Sequence, residues 1–239
     1  MIDQAFILAA GIGARMRPLT DVIPKPLVPV HGKPMINYAL DAIARHRSIR
    51  RIVVNTHYKA PMIEEYLASL RNLPFELVIS HEDELLDTGG GLQNGMRFLD
   101  KTKPVLVVAG DSIWEDPVSG PTVLEQMDEA WNQKTMDMLF LLQPVSGMRL
   151  TRGIGDYNMI GGRPVRSRTQ EGDHMWTSIR ILKPSIFEPP RHMPFSFLEI
   201  MDEVEGNKRL SAIINRGDWH HLSTPDDVQT MNLLWSPPS

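Results

Sequence analysis

The chain has 239 residues, 42% of them hydrophobic, and its 25 lysine and arginine side chains against 29 aspartate and glutamate side chains give a net charge of −4. A chain of this length buries about 70% of its unfolded surface, and the absence of cysteine excludes disulfides, thiolate metal sites and cysteine nucleophiles. Scattered charges and the lack of an apolar run of about 18–20 residues argue against nucleic-acid and membrane partners, so we expect a cytoplasmic protein whose metals use oxygen or imidazole ligands.

The first two-thirds of the chain alternates short apolar runs with longer segments of helical period, which is the pattern of βαβ units. The runs are nearly continuous in apolar character, as parallel strands covered on both faces are. They predict strands at residues 5–10, 51–55, 76–80, 105–109 and 138–142. Crossover helices are predicted in the segment that Pro34 opens and over residues 61–70, 90–99 and 121–133. This succession predicts an α/β fold with a Rossmann-like, doubly wound, mostly parallel sheet.

After residue 150 the pattern changes. Glycine and proline break the chain into short segments before a predicted strand at residues 176–182. No repeat, low-complexity tract or long linker separates this part from the rest. We therefore expect one domain over residues 1–239 that ends in an α+β lobe.

Two helix starts are marked in this C-terminal part. Ser196, followed three residues later by Glu199, predicts a helix that begins with a capping box. Thr224, followed by Pro225 and Asp227, predicts a helix with an N-cap, a proline in its first turn and an acid at its third position.

A loop rich in glycine and cations follows the first predicted strand, within residues 8–30, LAAGIGARMRPLTDVIPKPLVPV. Gly11 and Gly13 lack Cβ atoms, so consecutive backbone N–H groups can approach an anion closely. Arg15 and Lys25 add positive charge. The loop is neither a P-loop nor a complete dinucleotide fingerprint. Its composition still indicates a site for a polyphosphate.

Asp111 follows the apolar run at residues 105–109. Open α/β sheets bind their ligands at the carboxyl ends of the strands, and Mg²⁺ is commonly held by one or two carboxylates together with substrate phosphates. Asp111 is therefore a candidate Mg²⁺ ligand, and the alternative is an aspartate that caps a turn.

The string GxGxRMxPLTxxxPKPLVPV resembles the opening of the sugar-1-phosphate nucleotidyltransferases. The resemblance continues in EDELLDTGGG at residues 82–91, in Ala109-Gly110-Asp111 and in residues 217–224, so it covers most of the chain. Within the family, the TGGG, RGIGDYN and WTSI segments are most similar to the N-acetylmuramate-1-phosphate uridylyltransferases of peptidoglycan recycling. The mannose-1-phosphate guanylyltransferase-like proteins are next in similarity.

The resemblance implies a GT-A-like fold with a nucleotide-binding part over residues 1–150 and a sugar-binding lobe with a C-terminal helix over residues 151–239. It implies that a sugar 1-phosphate attacks the α-phosphorus of a nucleoside triphosphate, which releases pyrophosphate and forms a nucleoside-diphosphate sugar. Mg²⁺ is the implied cofactor, with Mn²⁺ as an alternative. A monomer or a small homo-oligomer is expected.

The resemblance also implies roles for individual residues. The catalytic residues are implied to be Arg15 on the leaving pyrophosphate, Lys25 between the reacting phosphates, and Asp111 on the metal. Nucleotide contacts are implied for Ala10, Gly11, Gly13, Glu82, Gly89 and Gly90. For the TGGG segment, the alternative is a helix N-terminus with flexible glycines.

The main departure from the family pattern is His221, which stands where a second metal-binding aspartate is usual, with Ser223 in place of a glycine. His221 could bind the metal as a neutral imidazole, which would favour Mn²⁺ or a softer ion over Mg²⁺. It could instead hydrogen-bond a phosphate. A third reading is a weakened site that binds nucleotide without turnover, and Asp218 would restore a carboxylate only in a different local register.

On the sugar side, the resemblance and the polar character of two segments suggest contacts from Gly155, Asp156, Asn158, Trp176 and Thr177. The alternative for Trp176 is a core aromatic residue at the start of a strand. Ser178 stands where the uridylyltransferases tend to have glycine, which narrows the space beside a sugar substituent and puts muramic acid in doubt. The rival hypothesis for the whole chain is a catalytically silent protein that senses a nucleotide or a nucleotide sugar.

Overall fold

The computed structural model describes residues 1–151 and 153–235, so Arg152 of the RGIGDYN segment lies outside the described residues. The strands are β1 Gln4–Leu8, β2 Pro29–Val30, β3 Lys33–Pro34, β4 Arg51–Thr56, β5 Glu76–His81, β6 Val105–Ala109, β7 Ile113–Trp114, β8 Met138–Pro144, β9 Tyr157–Ile160, β10 Arg163–Arg166, β11 His174–Leu182, β12 Leu210–Ile214 and β13 Trp219–His220. The α-helices are α1 Leu19–Val22, α2 Met35–Arg45, α3 Ala60–Ser69, α4 Asp87–Gly95, α5 Val123–Ala130, α6 Phe197–Gly206 and α7 Pro225–Leu234.

One large sheet has the strand order β10-β9-β11-β6-β1-β4-β5, and β8 extends it from β11 to β12. The four strands β6, β1, β4 and β5 run parallel, which confirms the predicted doubly wound arrangement. The prediction that residues 138–142 form a parallel strand is wrong on one side. β8 pairs antiparallel with β11 and parallel with β12, because a continuous apolar run reports burial on both faces and not the direction of the neighbours.

Helices cover both faces of the sheet. Alternate side chains of each strand point to opposite faces, so Ile7 and Val108 pack with the apolar stripe of α2 and with α3 and α5 on one face. Phe6 and Val107 pack with α4 and α6 on the other face. Two hydrophobic cores therefore support the sheet from both faces, and the carboxyl ends of its central strands, where a ligand would bind, are fixed by this packing.

The two predicted helix starts have different outcomes. The Thr224 hydroxyl accepts from the backbone N–H of Asp227, and the Asp227 side chain accepts from the Thr224 N–H, so this capping box is confirmed. The Ser196 hydroxyl accepts from the N–H of Leu198. The predicted capping box at Ser196 is wrong, because the Glu199 carboxylate lies 3.8 Å from the Arg191 guanidinium and does not turn back to the cap.

The C-terminal part joins the body of the fold in two places. Its strands β9 to β12 belong to the same sheet as β1. Helix α7 packs Val228 and Met231 against Met16, Val28 and Met35 of the N-terminal part. This packing brings the segment before α7 to the glycine loop. None of the described helices is long and apolar enough to cross a membrane.

Candidate active site

A cavity of about 570 Å³ opens at the carboxyl ends of β1 and β6. The chain leaves β1 towards β4 and β5 and then returns to β6 on the other side of β1, which is the switch point where open α/β sheets bind ligands. Leu8 lies opposite Ala109 in the parallel pair, so the loops that follow both strands meet. The lining residues are Leu8, Ala10, Gly11, Asn55, Leu85, Asp87, Thr88, Ala109, Asp111, Ser178 and Pro194.

The glycine loop lies beside this cavity. Gly13 has a left-handed φ of 67°, and a Cβ atom there would lie 3.1 Å from the Lys25 Cβ and 3.0 Å from the Thr20 Cγ2. The Thr20 hydroxyl donates to the Gly13 carbonyl at 2.9 Å. The left-handed φ and the close neighbours therefore both require glycine at position 13. A Cβ atom on Gly11, in contrast, would meet nothing within 4 Å. The open space at Gly11 belongs to the cavity.

Lys25 and Asp111 form an ion pair next to the loop, in which the Lys25 ammonium donates to Asp111 Oδ2. Burial by itself would raise the pKa of Asp111, but the charge and the hydrogen bond of Lys25 outweigh burial and hold that pKa below its usual value. The pair thus places one fixed negative and one fixed positive charge at the edge of the cavity.

His221 lies close to this pair. The antiparallel pairing of β13 with β7 sets Trp219 opposite Trp114, and the His221 N–H donates to the Thr151 hydroxyl at 2.9 Å. Burial, followed by the charges of Lys25 and Arg15, lowers the pKa of His221 although Asp111 opposes the shift. The imidazole is therefore neutral near pH 7.

Asp218 does not supply a second carboxylate. Its side chain is 3% exposed and lies 3.5 Å from the Arg149 guanidinium, and its Oδ1 accepts from the Trp219 N–H at 2.9 Å. Within residues 1–151 and 153–235, no group of three or more histidine, aspartate or glutamate side chains could hold a metal ion. A divalent cation at Asp111 would have to take most of its ligands from phosphate oxygens and water, which is common for Mg²⁺.

Glu82 lies behind the cavity wall. Its Oε1 accepts from the Asn55 amide at 2.7 Å and its Oε2 from the Leu86 N–H at 3.2 Å, and burial raises its pKa against the effect of these bonds. The Asn55 carbonyl oxygen accepts from the Ala9 N–H at 2.8 Å. Glu82 and Asn55 therefore join β4, the end of β1 and the loop before α4. Asn55 is not among the site residues predicted from the sequence, although it is a polar residue at the carboxyl end of a buried strand.

The glycines of TGGG serve packing. They lie in the first turns of α4, and a Cβ atom on Gly89 would be 2.4 Å from the Phe195 ring. A Cβ atom on Gly91 would be 2.6 Å from Glu82 Oε1. The N–H groups of Gly89 and Gly90 donate to the Phe195 carbonyl. The small residues let α4 approach its neighbours, and the preceding Asp87 and Thr88 reach the cavity.

Sequence comparison decides the family. The family model described as nucleotidyl transferase matches residues 4–147. The chain is 31% identical over 226 residues to the N-acetylmuramate α-1-phosphate uridylyltransferase of Caulobacter vibrioides, with 92% of each chain covered.

The chain belongs to the nucleotidyl transferase family. It is an enzyme of the sugar-1-phosphate nucleotidyltransferase type. It is also 35% identical to the mannose-1-phosphate guanylyltransferase catalytic subunit β of Drosophila melanogaster, over 97% of this chain and 62% of the relative. A UTP-bound UGPase from Acinetobacter baumannii has the same fold, with a TM-score of 0.79 at 16% identity over 98% of this chain and 93% of the other.

The residues of this nucleotidyltransferase that were predicted for the sugar side are not among those that line the cavity. They make internal contacts instead. Gly155 lies against the Gly172 carbonyl, Asp156 accepts from the Trp176 N–H, Asn158 accepts from the Asp173 N–H, Trp176 lies 5.3 Å from the Phe140 ring, and the Thr177 hydroxyl donates to the Leu141 carbonyl. Ser178, the next residue along β11, is the one that lines the cavity.

Proposed function

We propose that this nucleotidyltransferase joins UTP and N-acetylmuramate 1-phosphate to form the UDP-sugar and pyrophosphate, in peptidoglycan recycling in the cytoplasm. The observation that carries the proposal is the Lys25–Asp111 pair beside an open glycine loop at the switch point of the sheet. The choice of substrates follows the Caulobacter relative, which matches nearly the whole chain.

In this proposal the glycine loop and Arg15 bind the triphosphate, and Lys25 contacts the reacting phosphates. Nucleotidyl transfer gains most from positioning and from donors that neutralise charge growing on the leaving group. A phosphate monoester is already ionised at neutral pH, so it needs no strong base. Lys25 is held by Asp111 on one side and packs against Gly13 on the other, and its ammonium is therefore preorganised. Glu82 supports the site from behind the cavity wall, because its carboxylate accepts hydrogen bonds that fix Asn55 and the loop at Leu86.

Mg²⁺ is part of the proposal, and the donor set fits it. Asp111 offers one carboxylate, and triphosphate oxygens complete a typical Mg²⁺ environment. The cation would supply neutralisation of phosphate charge when bound. His221 is uncharged near neutral pH, so it is able to bind either the cation or a phosphate, and preference for Mn²⁺ would favour the first role.

The substitution Lys25→Met tests this function. We expect kcat/KM for pyrophosphate release to fall by about 10²–10³-fold, as when one preorganised donor to a developing charge is lost. Lys33→Met is the matched control, because Lys33 forms a comparable ion pair with Asp41 on the surface. A Lys25→Met enzyme that turns over at the wild-type rate, while Lys33→Met does too, would contradict the proposal.

A second candidate function is a nucleotide or nucleotide-sugar sensor without turnover. The observation that favours it is that residues 217–224 bring no second carboxylate to Asp111, since His221 stands at the usual position and Asp218 is engaged by Arg149. It differs from the enzyme in one measurable respect. A sensor binds UTP or a UDP-sugar and releases no pyrophosphate with either Mg²⁺ or Mn²⁺.

A further inference from the structure

The glycine loop offers a row of open backbone N–H groups. Those of residues 11–15 have no acceptor among the residues that the structure describes. Successive open N–H groups around a left-handed residue such as Gly13 form a concave site for an anion. Groups that fix the peptides of this row therefore fix the shape of the site.

The Gly13 carbonyl is held by two donors. It accepts from the Met16 N–H at 2.9 Å and from the Thr20 hydroxyl at 2.9 Å. The C=O and N–H groups of a trans peptide are coplanar and point in opposite directions, so donors on the Gly13 carbonyl also set the direction of the Ala14 N–H. The Thr20 hydroxyl therefore helps to keep the Ala14 N–H in the row.

Tyr58 holds Thr20 in turn. Thr20 lies in α1, a helix of four residues, and a helix so short has little stability of its own. The Tyr58 phenol, two residues after β4, donates to the Thr20 carbonyl at 2.9 Å. The Tyr58 N–H also donates to the Ala10 carbonyl, at 3.4 Å. One residue after β4 thus contacts the loop both where it begins and where it returns.

Thr20 and Tyr58 can affect a ligand only through the loop. Thr20 is 1% exposed, so its hydroxyl and its carbonyl need partners inside the protein. The cavity lining includes neither Thr20 nor Tyr58. Their hydrogen bonds therefore link the end of β4 to the backbone of the glycine loop from outside the cavity.

We infer that Tyr58 and Thr20 are positioning residues for the triphosphate. The Tyr58 phenol holds Thr20, the Thr20 hydroxyl holds the Gly13 carbonyl, and the row of open N–H groups faces the phosphate oxygens as a result. This inference rests on the proposed function for the ligand of the loop. Donors that are already in place need no rearrangement when the anion binds, so loss of either hydroxyl weakens the binding of the phosphates more than that of the nucleoside.

The substitution Tyr58→Phe removes the phenol hydroxyl and keeps the ring. The measurement is the ratio of the dissociation constants of UMP and UTP, by calorimetry in the same Mg²⁺ buffer, because UMP lacks the terminal phosphates. We expect the dissociation constant of UTP to rise about 3–10-fold, as for one lost hydrogen bond, and that of UMP to change less. A wild-type ratio in Tyr58→Phe would overturn the inference, even with a lower melting temperature, since the hydroxyl would then serve stability alone.

Tyr66→Phe is the matched control. The Tyr66 phenol donates to the Asn37 side-chain carbonyl at 2.8 Å and so joins α3 to α2. We expect the wild-type ratio in this variant, because the lost hydrogen bond is of the same kind but does not involve the loop. An equal change of the ratio in both variants would also overturn the inference.

Thr20 tests whether Tyr58 acts through it. We expect Thr20→Val to raise the dissociation constant of UTP about 10-fold and Thr20→Ser, which keeps a hydroxyl, to restore most of the affinity. Tyr58→Phe should change the ratio little when Thr20→Val is already present, because both substitutions release the same carbonyl of Gly13. The same further change as in the wild-type background would contradict the link from Tyr58 through Thr20.

The binding ratios and the enzymatic assay fail separately. Absence of pyrophosphate release with any substrate pair would contradict the proposed function, and the ratios would still decide the positioning role. A wild type that binds UTP no more tightly than UMP would overturn the inference and leave the proposed function to the pyrophosphate assay. A wild type that binds neither nucleotide would contradict both.

Discussion

At the scale of single residues, the site combines side chains that the sequence pattern could find with side chains that it could not. Gly11 and Gly13 follow the end of β1 and Asp111 follows the end of β6, so their convergence was predictable from the parallel order, whereas Lys25 is predicted by the family motif. The burial of Glu82 and Thr177 was not predictable. A carboxylate or a hydroxyl next to a motif looks the same in the sequence whether it faces a ligand or another group of the protein. Glu82 turns to Asn55 of β4 and Thr177 turns to Leu141 of β8, and only the folded structure shows these partners.

Gly11→Ala separates ligand contact from folding. A Cβ atom on Gly11 has no neighbour within 4 Å, and Gly11 lines the cavity. We expect an unchanged melting temperature and a dissociation constant for UTP that rises by about tenfold, which corresponds to about 1.4 kcal/mol. Gly206→Ala is the control, because it also adds a Cβ atom to open space, at the end of α6 away from the cavity. Wild-type UTP affinity in Gly11→Ala would remove this residue from the phosphate site.

At the scale of elements, the apolar runs located the strands well and predicted the parallel order of β6, β1, β4 and β5, but not the antiparallel partner of β8. β4 and β6 lie within a residue of the predicted ranges. A bulge in the pairing of β11 with β8 left no mark in the sequence, because it depends on hydrogen bonds from Thr177 and Arg180 to residues that only the folded sheet brings close. Helix α4 begins at Asp87, three residues before the predicted start at residue 90. Glycine disfavours a helix in isolation, but here the small size of the glycines serves packing against Phe195 and Glu82.

Asp137 joins three strands at their ends. It precedes β8, and its carboxylate accepts from Lys183 after β11 and from Arg209 before β12 at 2.8–3.1 Å. The hydrogen bond from Arg209, together with Lys183, lowers the pKa of Asp137 although burial opposes the shift. Asp137→Asn should therefore lower the free energy of unfolding by about 1–2 kcal/mol at pH 7.

The pH dependence has a defined sign. A carboxyl whose folded pKa is lowered stabilises the fold above its unfolded pKa of about 3.9 and loses this contribution as pH falls through the folded value. Urea unfolding at pH 7 and pH 3 should show a smaller difference between Asp137→Asn and wild type at the lower pH. Asp21→Asn is the control, because the exposed pair of Asp21 with Arg17 contributes little. A constant difference at both pH values would contradict the assigned ion pair.

At the scale of the whole molecule, the C-terminal part completes both the sheet and the site. The strands β9 to β12 extend the sheet beyond β6, and α7 packs on the N-terminal part so that His221 reaches Lys25 and Asp111. The sequence indicated a change of pattern after residue 150 but not this continuity, since β-pairing between distant segments leaves no local signal. The family resemblance, in contrast, extends over both parts and is confirmed.

Synthesis of a nucleoside-diphosphate sugar by this nucleotidyltransferase, with UTP and N-acetylmuramate 1-phosphate as the proposed pair, is open to direct measurement. The direct measurement is pyrophosphate release from UTP and GTP with the 1-phosphates of N-acetylmuramate, N-acetylglucosamine, mannose and glucose, each with Mg²⁺ and with Mn²⁺. We predict the highest kcat/KM for UTP with N-acetylmuramate 1-phosphate, and its loss in Lys25→Met. No release above background with any pair, while UTP still binds by calorimetry, would contradict the proposed enzymatic function and favour the sensor.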